Sequence, residues 1–108
     1  MRQFAQIVLE RRTRHAGSFC TEPFEAAWAA EAVFFLTVEE LEAGQLAARV
    51  QISPDGINWV DEGSGIPAIS APGLHFVRVT HFGGWLRLAC DMENGGGARV
   101  LVHLILKE

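Results

Sequence analysis

Gln45 to Glu62 reads QLAARVQISPDGINWVDE, and few architectures accommodate that string. Leu46, Ala48, Val50 and Ile52 recur at every second position, the period of a strand with one buried face. Ser53-Pro54-Asp55-Gly56 then breaks the run. Proline fixes its own φ early in a turn, aspartate can bond its own backbone, and glycine supplies a positive φ, so these residues reverse the chain. Ile57 to Val60 reads as the return strand, with Trp59 placed where a large ring can lie across the hairpin.

The same punctuation recurs along the chain. Residues 2–11 predict a strand with Ala5, Ile7 and Leu9 on one face and Arg2, Phe4, Gln6, Val8 and Glu10 on the other. That mixed second face suits a sheet edge or a subunit contact. Residues 12–23 read as loop, and the basic run from Arg11 to His15 as a solvated stretch rather than a contact for an acidic partner. Residues 24–32 are alanine-rich, as a helix would be, but they run without a turn into the strand-forming Val33–Val38. The prediction is therefore a short strand or irregular lead-in at 24–28 and a strand at 31–40, with Phe34, Leu36 and Val38 inward. Glu39–Gly44 reads as a solvated acidic connection. Residues 63–73 read as a loop with room for a short edge strand at 66–70, because Pro67 and Pro72 disfavour a central one.

Residues 74–82 alternate His75, Val77, Val79 and His81 with Leu74, Phe76, Arg78, Thr80 and Phe82. Gly83-Gly84 is expected to close a hairpin onto Trp85–Met92, where Leu86, Leu88, Cys90 and Met92 share a face. After a turn at 93–97, the last strand, 98–107, points Val100, Val102, Leu104 and Leu106 inward and Arg99, Leu101, His103, Ile105 and Lys107 outward. Strands spaced in this way predict an all-β fold, a single antiparallel β-sandwich of about seven or eight strands with jelly-roll-like topology, occupying residues 1–108 as one domain.

Composition narrows the roles open to such a fold. Apolar residues make up 49% of the 108 and charged residues 20%, so a core forms and disorder is excluded. A net charge of −4 weighs against nucleic acid as a partner. No apolar run reaches membrane-span length, and no secretion signal is visible at the start of the chain. Synthesis in the cytoplasm is expected, with incorporation into a particle left open. Cys20 and Cys90 lack metal-pair spacing; free thiols are expected, with a disulfide between distant strands as the alternative.

VQISPDGINWVDEG together with FVRVTHFGGWLRLACD resembles small β-sandwich proteins of phage and prophage regions and of some bacterial surface assemblies. The matching residues are Gln51, Ser53, Asp55, Gly56, Trp59, Arg78, Trp85 and Arg87, and the resemblance runs from about residue 30 to 107. A similar Ser-x-Asp-Gly-x-x-Trp hairpin occurs in discoidin-like domains, which are longer and carry ligand-binding loops that this chain has no length to build. The phage-like resemblance implies a structural or decoration role, usually in a homo-oligomer.

No nucleophile-and-base constellation is present, and no cofactor or metal is expected. Gly63-Ser64-Gly65 lacks the context of a nucleophile elbow. His75 and His81 would share a strand face but lie about 20 Å apart, too far for one ion, although either could meet His103 or Asp91 across strands. Asp55, Asp61 and Glu62 could flank a calcium ion, but turn chemistry already accounts for Asp55. Val8, Phe35, Leu101 and Ile105 are apolar where an outer face is predicted, more than a monomer ordinarily shows. With Arg78, Arg87 and His103 they are the candidate interface. Arg78, Arg87, Arg99 and Lys107 are placed on neighbouring strands, either pairing with local acids or meeting the acidic 39–42 stretch of another subunit. The expected function is non-enzymatic assembly with copies of itself or with a larger particle. The alternative is carbohydrate binding by Trp59, Trp85 and Asp55, with Trp28 as a further platform residue.

Overall fold

The computed structural model describes residues 4–42, 44–93 and 96–108. Arg2, Ala43, Asn94 and Gly95, which the strand and turn predictions include, lie outside them. Nine strands are described: β1 (Phe4–Ala16), β2 (Phe19–Cys20), β3 (Phe24–Glu25), β4 (Glu31–Glu42), β5 (Leu46–Ser53), β6 (Val60–Ile69), β7 (Gly73–Thr80), β8 (Trp85–Met92) and β9 (Gly97–Lys107). They form two antiparallel sheets, β1-β9-β4-β7 and β2-β8-β5-β6, with β3 also paired to β8. β2 and β3 are two pieces of one edge position. Between them the Thr21 hydroxyl takes the Leu88 N–H that a backbone carbonyl would otherwise accept, and Pro23 has no N–H to offer. With that position counted once, each sheet has four strand positions. Successive strands then alternate between sheets except at the β5–β6 hairpin, which is the winding of a jelly roll.

The side-chain phase follows the predicted alternation. Phe34, Leu36 and Val38 of β4 and Val100, Val102, Leu104 and Leu106 of β9 are buried against Leu46, Ala48, Val50, Leu86, Leu88 and Cys90 of the other sheet. Each buried valine, leucine or phenylalanine among them stabilises the fold by about 1.5–3 kcal/mol relative to exposure. Val77 and Val79 complete the inner face at β7, which leaves Leu74, Phe76 and Arg78 outside.

Five expectations are corrected. Gly83-Gly84 does not close a hairpin: β7 pairs with β4 and β8 with β5, so the glycines carry the chain from one sheet to the other. The basic run at 11–15 is the second half of β1, bent by register shifts between Val8 and Thr13, with Arg12 at a φ of 53°. The acidic 39–42 stretch is the end of β4. Residues 63–69 belong to β6, a ten-residue strand whose edge position tolerates Pro67. The return strand of the central hairpin begins at Val60, three residues later than expected. Both cysteines are free thiols: Cys90 faces the core, where burial and the neighbouring Cys20 push its thiol well above the usual range, while Cys20 is exposed.

Candidate docking face

The outer face of β1-β9-β4-β7 collects most of the candidate interface residues. Antiparallel pairing aligns them in rows across the sheet. Phe4, Lys107, Glu31 and Thr80 form one row, and Gln6, Ile105, Val33 and Arg78 the next. Val8, His103, Phe35 and Phe76 form a third, and Leu101, Thr37 and Leu74 continue the face on the last three strands. Leu74 is 66% exposed, Phe76 52% and Phe4 60%, while Phe35, Leu101, His103 and Ile105 are half-buried. The Phe35 and Phe76 rings lie 6.1 Å apart and tilted, and the Arg78 guanidinium sits 5.0 Å from the Phe76 ring centre. Strand spacing and residue rise give the apolar rows a footprint of roughly 400 Å². That is the size of the largest patch on a typical monomer, which is often functional, and enough for the centre of a protein contact.

The end of this sheet that carries Arg99 is charged and internally compensated. Arg12 pairs with Glu39 at 3.5 Å, Arg14 with Glu40 at 3.5 Å and with Glu42, and Arg99 with Glu40 at 3.8 Å. The Arg14 hydrogen bond and charge hold the Glu42 carboxyl below the usual carboxylate range. The acidic stretch therefore finds its arginines within the same chain.

Arg87 is not on this face. It projects from β8 on the outer side of the other sheet, because β7 and β8 belong to different sheets. There its Nε–H donates to Gln51 Oε1 at 2.7 Å, and Gln51 Nε2 donates to Asp61 at 3.0 Å. Arg49 binds Asp61 at 3.0 Å and also Asp91. The Gln51 and Arg49 hydrogen bonds keep the Asp61 carboxyl low. The Arg87 guanidinium covers the Trp59 ring at 4.3 Å, while Gly56 backs onto the Trp85 ring.

Asp55 is consumed by its turn. Its carboxylate accepts the Ile57 and Asn58 backbone N–H groups, the Asn58 side-chain amide and the Ser53 hydroxyl. The Asn58 and Ile57 backbone bonds are the main cause of a carboxyl depressed far below its ordinary value. Asp61 is turned to Arg49 and Gln51, and Glu62 accepts the Ser64 N–H, so the three carboxylates do not converge on one point. Nor do the histidines meet. His75 stands opposite Leu36 in the inward phase, His103 opposite Phe35 in the outward one, and Asp91 lies on the other sheet. Among the described residues no group of three His, Cys, Asp or Glu could hold a metal ion, and no helix is long and apolar enough to cross a membrane.

Sequence reasoning did not single out Leu74 and Phe76. The signal was the alternation of residues 74–80, which needed only the knowledge that Val77 and Val79 face inward.

No protein-family model and no curated protein matches the chain. Among solved structures it is similar to the SPBc2 prophage-derived protein YomS, with a TM-score of 0.67 and 8% identity, covering 100% of this chain and 96% of that one. It also aligns with the Yersinia pseudotuberculosis-derived mitogen at a TM-score of 0.41 and 7% identity, covering 99% and 84%. What this chain shares with the prophage-derived protein, at that identity, is its fold from end to end.

Proposed function

We propose that the chain is a non-enzymatic assembly module that docks the outer face of β1-β9-β4-β7 onto a copy of itself, as part of a phage-type particle. The carrying observation is the apolar surface built from the exposed Val8, Leu74 and Phe76 and the half-buried Phe35 and Leu101, which a second protein surface would cover. The prophage origin of YomS, which has the same fold, supports the particle setting. The phage-like hairpin resemblance through Ser53, Asp55, Gly56 and Trp59 points the same way; the discoidin-like one adds no ligand. This reading assigns no catalytic residue. Carbohydrate binding is the weaker reading, since a sugar platform needs a bare ring and Arg87 already covers a face of Trp59.

Sedimentation velocity over a range of concentrations tests the reading. The wild-type chain is expected to associate, and Phe76→Glu to weaken association by at least tenfold while leaving the far-ultraviolet circular dichroism spectrum of the folded chain intact. A wild-type chain that stays monomeric at high concentration and binds glycans with quenched tryptophan fluorescence would overturn it.

A further inference from the structure

The rows of the docking face have an order that a second copy can match. Read from β1 to β7, the first row is Phe4, Lys107, Glu31, Thr80; read back from β7 to β1, it is Thr80, Glu31, Lys107, Phe4. Laying one direction against the other puts a lysine on a glutamate at both central positions. It also puts Ile105 on Val33 and Val8 on Phe76 in the rows beyond. Glu31 and Lys107 are cross-strand neighbours, yet neither takes part in an ion pair among the described residues, whereas Arg12, Arg14 and Arg99 at the other end of the sheet are each paired.

Shape agrees with charge. A depression of about 280 Å³ opens among Glu31, Arg78, Thr80 and Lys107 over Val33 and Ile105. Phe4 stands out at the opposite edge of the same row. In the reversed reading Phe4 comes to lie on Thr80, at the mouth of that depression.

We infer that two copies dock face to face about a two-fold axis parallel to the strands and midway between β9 and β4, with each Lys107 against the partner's Glu31 and each Phe4 entering the partner's depression. Such a contact is isologous and closed. It stacks two sheets in the aligned manner usual for sandwiches, about 10 Å apart. A two-fold axis across the strands is disfavoured, because it would lay Lys107 on Leu101 and Glu31 on Thr37 and leave neither charge with an opposite one. The inference rests on the proposed assembly function and names its partner and register.

Paired charge reversals test it. In this register Glu31→Lys sets two lysines face to face at both symmetric contacts, and Lys107→Glu sets two glutamates. Each variant alone should dimerise at least tenfold more weakly than the wild type by sedimentation equilibrium, while keeping the wild-type far-ultraviolet circular dichroism spectrum. An equimolar mixture of the two should form a heterodimer within about threefold of wild-type affinity, since both contacts then join a lysine to a glutamate. Mixing Glu31→Lys with Arg78→Glu leaves one lysine pair opposed and should stay weak. If the two reversals dimerise as the wild type does while Phe76→Glu does not, the face is right and this register is wrong. If the Arg78→Glu mixture recovers equally well, only bulk charge is at work and the register is again wrong. A wild type that is monomeric throughout removes both the register and the function on which it rests.

Discussion

At the scale of single residues, the central turn shows how little sequence is needed to fix a local shape. Ser53 Oγ accepts the Asp55 and Gly56 N–H groups, while its own hydroxyl donates to Asp55. Gly56 holds a φ of 78°, and a Cβ there would sit 3.2 Å from the Trp85 ring. Gly56→Ala should therefore cost about 1–2 kcal/mol in denaturant unfolding, from backbone strain plus displacement of the indole. Asp55 makes a pH-dependent contribution. Its folded-state carboxyl titrates below its unfolded one, so the unfolded chain binds the proton more readily and stability rises with pH. The contribution is complete above about pH 4, the ordinary range of an aspartate, and drains away as pH falls below it. Asp55→Ala should melt earlier at pH 7 and show a shallower loss of melting temperature between about pH 4 and pH 2 than the wild type.

Strands differ in how much of the molecule they hold. β4 and β9 are the inner strands of the docking sheet, each hydrogen-bonded on both sides, and both read in the sequence as long alternations. Phe34 on β4 is fully buried, and Phe34→Ala should cost about 3–5 kcal/mol by chemical denaturation, a large share of the roughly 5–15 kcal/mol a domain of this kind has. The peripheral elements were harder to read. β2 and β3 are two residues each, too short for any period to show, and exist because β8 offers an edge to pair with. β1 carries arginines near its end because residues 11–14 are exposed on both faces there, and its bulges let Arg12 and Arg14 reach the glutamates of β4.

For the whole molecule, the fold sets two faces of different character back to back. One is apolar with a complementary charged row; the other is a closed polar network around Gln51, Arg49, Asp61 and Arg87. If the first face assembles, folding is linked to concentration by mass action. A tenfold rise in protein concentration should then raise the wild-type melting temperature and leave that of Phe76→Glu unchanged, as differential scanning fluorimetry would read.

By itself the sequence determined where the central strands run and which of their side chains turn inward, because alternation and turn chemistry are properties of neighbours along the chain. Phe34, Leu36, Val100 and Leu104 could be placed in the core from that period alone. Which strand pairs with which was decided only in three dimensions, by backbone hydrogen bonds between segments far apart in the chain. That choice separates Arg78 from Arg87, which share a local pattern but sit on opposite faces. It also gives Glu39, Glu40 and Glu42 of β4 their arginines, and it gathers Phe4, Leu74 and Phe76 beside Phe35 on one surface.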